Sequence, residues 1–138
     1  MSHDKIHVAV GIVFHACGDV LIAQRPLQKS HSGSWEFPGG KVEENESVFQ
    51  ALQRELLEEV GIQVITAEAW LQLDYIYSDR HVFLHVWRVT EFSGEPMGLE
   101  NQLVQWVSLN QLNQFQFLSA NYPILERILA LSNVQKAV

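Results

Sequence analysis

The chain has 138 residues, of which 47% are hydrophobic and 18% are charged, a composition that fits one globular domain with a buried core and excludes a disordered chain. Its net charge of −7, from 9 basic and 16 acidic residues, repels polyphosphates and argues against a duplex nucleic acid partner. We expect no signal peptide and no membrane span, because the N-terminus lacks a basic region followed by an apolar one and no apolar run is long enough to cross a bilayer. The single Cys17 fits a reducing compartment, so we expect a cytoplasmic protein without a membrane partner.

The first part of the chain is predicted to form strands. Ile6 to Ala16 alternates with the period of a strand, and Val20 to Ala23 follows a turn at Gly18 as a second strand, so we expect a hairpin. A polar loop is predicted from Pro26 to Ser34. Residues 35–40 are predicted to form a short extended piece that ends in a flexible corner at a glycine pair.

A helix is predicted over residues 48–60. Ser47 and Gln50 have the spacing of a capping box, and apolar residues then recur at every fourth position, which gives a stripe that packs on a sheet. Gly61 is the residue expected just beyond the C-terminus.

This helix carries an unusual concentration of acids. At about 100° per residue, Glu55, Glu58 and Glu59 lie on one arc beside the apolar stripe, while Arg54 points elsewhere. Like charges at these spacings, near the negative end of the helix, destabilise an isolated helix by a few tenths of a kcal/mol per pair. The alternatives are a solvated acidic face and a cluster that holds a cation, and a broken local rule favours the second.

The second part of the chain is predicted to add further strands and a final helix. The order β-β-α-β-β-β-α predicts an α/β sandwich, with a mixed sheet between helices. The predicted segments are strands over Ala67–Tyr77, His81–Thr90 and Leu103–Leu109, a turn at Ser78–Arg80, a loop over Ser93–Gln102, a partly helical Asn110–Phe117 and a helix from Asn121.

The glycine pair and the acidic helix form one motif. Gly40, five residues, Glu46, seven residues and then Arg54-Glu55-Leu56-Leu57-Glu58-Glu59-Val60-Gly61-Ile62 match the Nudix box, GX5EX7REUXEEXGU, at every fixed position. The chain therefore resembles the Nudix hydrolases, with similarity from Val8 to Leu129, and we expect a single domain over residues 1–138. The resemblance implies the Nudix-type α/β/α sandwich. The stretches WEFPGGKVE, LDYIYSDRHVFLHVW, SGEPMGLENQ and LSANYPIL are similar to the MutT branch, the 8-oxo-dGTP diphosphatases.

The resemblance implies a set of metal ligands. In the family these are a carbonyl and the glutamates that match Gly39, Glu55, Glu58 and Glu59, and the ion is Mg²⁺, with Mn²⁺ as a substitute. Glu59 is the first choice as a ligand, and Glu55 serves as ligand, general base or both. Glu100 matches a further acid that helps with metal or base work, and the alternative for it is a solvated loop acid. Other members of the box are implied to be structural, namely Gly40, Glu46, Arg54 and Gly61.

Within the box, Arg54 is expected to orient the glutamates by charge-assisted hydrogen bonds, and Glu46 to secure the loop before the helix. Arg25 and Lys41 are expected to meet phosphate, although Arg25 is also consistent with an ordinary strand-end arginine. Asn121 matches the base-reading asparagine of the branch, since an amide can read a purine edge; the alternative is the N-cap of the last helix. Positions that match other substrate contacts are Glu36, Phe37, Pro38, Gly39, Tyr77, Arg80 and Leu84.

The resemblance implies Mg²⁺-dependent hydrolysis of 8-oxo-dGTP to 8-oxo-dGMP and pyrophosphate, which cleans the nucleotide pool and prevents mutation. An alternative is a Nudix enzyme for another nucleotide or a nucleotide sugar. A different class, a binding module that keeps the fold without the chemistry, is disfavoured because all box glutamates are present. The expected partner is a small-molecule nucleotide, and we expect a monomer.

Overall fold

The computed structural model describes residues 5–26 and 33–136, so most of the loop predicted from Pro26 to Ser34 lies outside the described residues. None of the helices in these two ranges is long and apolar enough to cross a membrane. The strands are β1 Ile6–Val13, β2 Val20–Gln24, β3 Trp35–Glu36, β4 Gly39–Lys41, β5 Gln63–Ile76, β6 His81–Ser93 and β7 Val104–Val107. The helices are α1 Val48–Val60 and α2 Tyr122–Lys136, preceded by 3₁₀ segments at Leu109–Gln114 and Ser119–Asn121.

The strands form two sheets. The larger has the order β4-β1-β6-β5, in which β1 is parallel to β6 and the other pairs are antiparallel. The smaller has the order β3-β2-β7 and is antiparallel. The mixed sheet between helices confirms the predicted fold class, with a second sheet that the sequence did not indicate.

The predicted hairpin of β1 and β2 is wrong. The two strands share an isolated bridge between Phe14 and Val20 and then enter different sheets. Both edges of β1 are already occupied, by β4 on one side and by β6 on the other, so no edge is left for β2 to pair with.

Helix α1 has the predicted bounds. The Ser47 side chain accepts a hydrogen bond from the Gln50 amide at 3.1 Å, and the Gln50 side chain accepts one from the Ser47 amide at 2.9 Å. Gly61 ends the helix in the left-handed conformation, with φ of 74°. The apolar stripe of α1 is buried in a cluster on one face of the larger sheet, with Ala9 and Val89, while α2 belongs to a second cluster with Val10 and Val86.

The glycine pair was predicted as a flexible corner, and that prediction is wrong. Gly39 and Gly40 begin β4, which pairs with β1 in the register Ala9↔Gly40 and Val10↔Gly39. A Cβ atom on Gly39 would lie 2.0 Å from the carbonyl oxygen of Ala9, so glycine is required by the close approach of the strands. Strand β5 also begins four residues before the predicted Ala67, at Gln63.

Candidate active site

A polar cavity of about 400 Å³ opens where α1, β4 and the loop before β7 meet. It contains all four carboxylates that the sequence singled out as catalytic, together with two cations. Its lining residues are Ala23, Gln24, Arg25, Pro26, Glu36, Gly39, Gly40, Lys41, Glu55, Glu58, Glu59, Glu100 and Gln102.

Arg54 joins the acids of the box. Its Nε and Nη2 atoms donate to the Glu46 carboxylate at 2.7 and 3.0 Å, and its Nη1 donates to Glu55 at 2.7 Å. Nη2 also donates to the carbonyl of Lys41 at 2.9 Å. Arg54 was expected to point away from the acids of the helix, but its long side chain reaches back to Glu46 and Glu55. These contacts are the kind of charge-assisted hydrogen bond on which the predicted orienting role depends.

Glu46 secures the loop before the helix. One of its carboxylate oxygens accepts a hydrogen bond from the Glu43 amide at 2.9 Å. The hydrogen bonds from Arg54 and from Glu43 lower the pKa of Glu46 to about 2, so Glu46 is ionised and fully paired rather than available to a ligand.

Gly40 leaves room for the Glu55 carboxylate. A Cβ atom at this position would lie 2.2 Å from Cδ of Glu55, so any other residue here would displace the carboxylate. The glycine therefore fixes where this carboxylate can sit, and Arg54 holds it there from the other side.

Glu59 is the most perturbed acid of the cavity. Its pKa is raised to about 9, mainly by burial and then by the nearby charges of Glu36, Glu55 and Glu100. A hydrogen bond from the Gly39 amide has a smaller effect and lowers the pKa. Burial also raises the pKa of Glu55, with Glu58 and Glu100 adding to the effect. Acids held together in this way raise one another's pKa, and a divalent cation bound among them would relieve that repulsion.

The donor set fits Mg²⁺ in chemistry, because carboxylates and a main-chain carbonyl are the hard oxygen ligands that this ion prefers. Among the described Asp, Glu, His and Cys side chains, no three are gathered closely enough to form a ready-made cage. This arrangement suits an ion that keeps several of its waters and is completed by substrate phosphates.

Two basic side chains line the same cavity as the acids. Arg25 donates from Nη1 to the carboxylate of Glu36 at 3.3 Å, and both side chains are half-buried. Lys41 lines the same cavity. The two cations predicted to meet phosphate therefore face the space beside the acids.

A second cavity, of about 270 Å³, adjoins the first. Glu36 and Gly39 line both. The remaining wall is largely apolar, and it consists of Ile6, Val8, Val10, Phe37, Tyr77, Arg80, Val82, Leu84, Leu118 and Asn121.

Asn121 is the buried polar group of this second cavity, with 8% of its surface exposed. Its Oδ1 accepts a hydrogen bond from the amide of Phe37 at 3.2 Å. Since an amide N–H can only donate, this bond assigns the orientation of the side chain and directs Nδ2, a donor, to the remaining space. Asn121 is the last residue of the 3₁₀ segment that runs into α2, and its side-chain oxygen is bonded to Phe37. The structure therefore does not support the alternative role as the N-cap of the last helix.

The second cavity collects most of the predicted base contacts. Arg80 lies over the ring of Tyr77, 4.9 Å from its centre, and Phe37 stacks on Phe117 at 5.1 Å. Pro38 is different, because it is buried and lines neither cavity. Its carbonyl accepts a hydrogen bond from the Gly11 amide at 2.8 Å, so its place is in the packing of β1.

Several lining residues were missed from the sequence. Val8 and Val10 line the second cavity. They lie in the alternating strand predicted from Ile6 to Ala16, and that alternation was the only pattern in the sequence that could have indicated them. Leu118 and Gln102 lie in irregular segments, where no periodic pattern marks them.

A larger and more open depression, of about 630 Å³, lies between Phe14–Ala16 and Arg88–Phe92. Glu91 is the one carboxylate among its described lining residues. The converging acids needed for a metal are therefore absent from this described surface.

Comparison with known proteins places the site in context. The NUDIX domain family matches residues 5–128. An 8-oxo-dGTP diphosphatase of Escherichia coli K12 is 39% identical over 124 residues, covering 90% of this chain and 96% of the relative. A CTP pyrophosphohydrolase of the same organism is 38% identical over 133 residues, covering 96% and 98%.

Two solved structures are similar to this chain in both fold and sequence. One from a study of MutT from Aliivibrio salmonicida and Vibrio cholerae superposes with a TM-score of 0.84 at 38% identity, covering 93% of this chain and 99% of that one. The solution structure of the E. coli ORF135 protein also gives 0.84 at 38% identity, covering 99% and 96%.

Proposed function

Since this chain belongs to the NUDIX domain family, we propose that it hydrolyses 8-oxo-dGTP to 8-oxo-dGMP and pyrophosphate and so removes an oxidised nucleotide from the pool. The observation that carries the proposal is the pair of adjoining cavities. One collects acids and cations, the other is apolar with a directed amide donor, and they share Glu36 and Gly39. This division matches a nucleotide, which has a charged phosphate end and a flat base.

In the first cavity, we assign the carbonyl of Gly39 and the carboxylates of Glu55, Glu58 and Glu59 to Mg²⁺, with Mn²⁺ as a substitute. When bound, the metal neutralises phosphate charge and makes a water molecule easier to deprotonate. Glu55 or Glu100 accepts the proton of the attacking water. Burial raises the pKa of Glu55 above its ordinary value, the direction that makes a carboxylate a stronger base.

Other side chains of this cavity act on the substrate or on the acids. Arg25 and Lys41 bind the phosphates as cations. Arg54 keeps Glu55 in place through its hydrogen bond at 2.7 Å, and Arg54 is itself fixed by Glu46. Glu55 is therefore held on a rigid support during the reaction.

In the second cavity, Asn121 reads the base. Its Nδ2 donor matches O6 of guanine, which is an acceptor, whereas adenine presents an amino group at the same edge. Replacement of Asn121 by alanine is expected to lower kcat/KM for 8-oxo-dGTP by roughly 10- to 100-fold, the equivalent of one buried hydrogen bond. The proposed preference for guanine rests on this one directed donor.

The direct test is pyrophosphate release from 8-oxo-dGTP and dGTP with Mg²⁺, measured with purified protein. We expect a higher kcat/KM for the oxidised nucleotide. Equal values for the two nucleotides would rule out the role in cleaning the pool, although the hydrolytic chemistry would stand.

A second candidate function is hydrolysis of another nucleotide, such as CTP, or of a nucleotide sugar. The observation in its favour is the CTP pyrophosphohydrolase relative, which is 38% identical over 133 residues. A screen across these compounds separates the two candidates. If a substrate of this second kind is preferred, Asn121→Ala is expected to leave activity nearly unchanged.

A binding module without chemistry is the remaining class. Glu59→Gln should abolish turnover and leave the circular dichroism spectrum unchanged if the protein is an enzyme. Absence of turnover in the unmodified protein, across the whole screen, would instead favour the binding module.

A further inference from the structure

We propose that Gln102 is a positioning residue that fixes the loop acid Glu100 relative to the helix acid Glu59. The inference rests on the proposed function, because it assigns a support for two acids of the proposed metal and phosphate cavity. All three residues line that cavity.

Both ends of the Gln102 amide are bonded to the main chain of these acids. Nε2 donates to the carbonyl of Glu59 at 3.0 Å, and Oε1 accepts from the amide of Glu100 at 2.8 Å. Because a carbonyl can only accept and an amide N–H can only donate, each atom of the side chain is assigned by its partner. One side chain thus ties the two segments together at the acids themselves.

The rest of the loop is anchored independently of this side chain. The Leu99 amide donates to the carbonyl of Glu59 at 3.0 Å, and the Met97 amide donates to that of Val60 at 3.0 Å. A Cβ atom on Gly98 would lie 1.8 Å from the Gln102 carbonyl, so the loop is compact. Loss of the Gln102 side chain should therefore free Glu100 without releasing the loop from α1.

Gln53 provides a matched control. Its Nε2 also donates to a main-chain carbonyl, that of Val64, at 3.0 Å, and it lines neither cavity. Gln53→Ala and Gln102→Ala each remove a side-chain amide bonded to the main chain next to α1. Only the Gln102 amide is bonded to the main chain of acids that line the cavity.

The test uses Mn²⁺ as the probe, because the Glu100 carboxylate lines the cavity of the proposed metal ligands and its charge attracts a divalent cation there even when it is not a direct ligand. Affinity is measured from the electron paramagnetic resonance signal of the free ion in the absence of nucleotide. Gln102→Ala is expected to weaken Mn²⁺ binding about 10-fold, while Gln53→Ala binds like the unmodified protein. Thermal unfolding of both variants checks that they fold. An affinity for Gln102→Ala equal to that of Gln53→Ala would overturn the inference.

A double-mutant cycle shows whether Gln102 acts through Glu100. In a Glu100→Gln background, Gln102→Ala is expected to cause no further loss of Mn²⁺ affinity beyond about 2-fold. If Gln102→Ala lowers the Mn²⁺ affinity of the Glu100→Gln variant by the same factor as it lowers that of the unmodified protein, the inference is overturned. If the unmodified protein hydrolyses no nucleotide, the proposed function fails, and the Mn²⁺ measurements still decide the role of Gln102.

Discussion

The half-buried carboxyl of Glu59 should make the metal-free protein less stable as the pH rises. Its pKa is about 9 in the folded protein, against an ordinary value of 4.5. Between these values the folded state holds a proton that the unfolded state has released, so the free energy of unfolding decreases with increasing pH. Glu59→Gln keeps the shape of the side chain and removes the proton, and should abolish this dependence.

The size of the effect follows from the same window. One pH unit corresponds to about 1.36 kcal/mol for one proton. Between about pH 7 and about pH 8.5, which lies above the ordinary pKa of histidine, the free energy of unfolding is expected to decrease by about 2 kcal/mol. For a domain of this size, that lowers the midpoint of thermal unfolding by about 6 °C.

The assay is thermal unfolding followed by circular dichroism, in EDTA and in saturating Mg²⁺. The control is Glu126→Gln, which removes an exposed carboxylate on α2 that lines neither cavity. In EDTA we expect the unmodified protein and the control to lose stability with pH and Glu59→Gln to stay level. In Mg²⁺ the dependence should vanish for the unmodified protein, because a metal binds the ionised carboxylate and displaces the proton.

Two results would refute the reasoning. If Glu59→Gln and the unmodified protein show the same dependence on pH in EDTA, the carboxyl of Glu59 is not held protonated by burial. If Mg²⁺ leaves the dependence of the unmodified protein unchanged, Glu59 is not a ligand of the metal.

Three further changes test how the box is supported. Gly40→Ala places a Cβ atom 2.2 Å from Cδ of Glu55, so kcat should fall at least about 10-fold and half-saturating Mg²⁺ should rise; steady-state assays across Mg²⁺ concentrations that show no such rise would contradict this. Arg54→Lys keeps the charge but loses the fork that holds Glu46 and Glu55 together, so kcat should fall about 10- to 100-fold with an unchanged circular dichroism spectrum, and normal turnover would be the opposing result. Ser47→Ala should lower the free energy of unfolding by about 1 kcal/mol in urea titrations and leave kcat unchanged, whereas a loss of kcat would show that the cap also shapes the site.

The sequence predicted local features well. Helix α1 has its predicted bounds of 48–60, because the cap at Ser47, the apolar stripe and Gly61 are all encoded within one short segment. Glu55, Glu58 and Glu59 line one cavity since their spacing on that helix determines their common face. Features of this kind need no information about distant parts of the chain.

Features that depend on distant contacts were harder to predict. The hairpin of β1 and β2 was wrong because pairing is decided by which strand edges are free, and β6 pairs with β1 across a long stretch of sequence. Pro38 is adjacent to Phe37 and Gly39, yet it is buried away from both cavities. Gln102 was missed because its role depends on two main-chain partners that no spacing rule predicts.

The central place of β1 has a consequence for how the protein folds. The strand must pair with β6, in the register Ile6↔Val82 to Val13↔Val89, so its parallel edge stays open until residues 82–89 have been synthesised. Non-local pairing of this kind slows folding and exposes strand edges to aggregation. Val8 and Val10, which line the second cavity, belong to this edge. During synthesis, α1 and its acids can therefore form before the second cavity, which we propose binds the base, is complete.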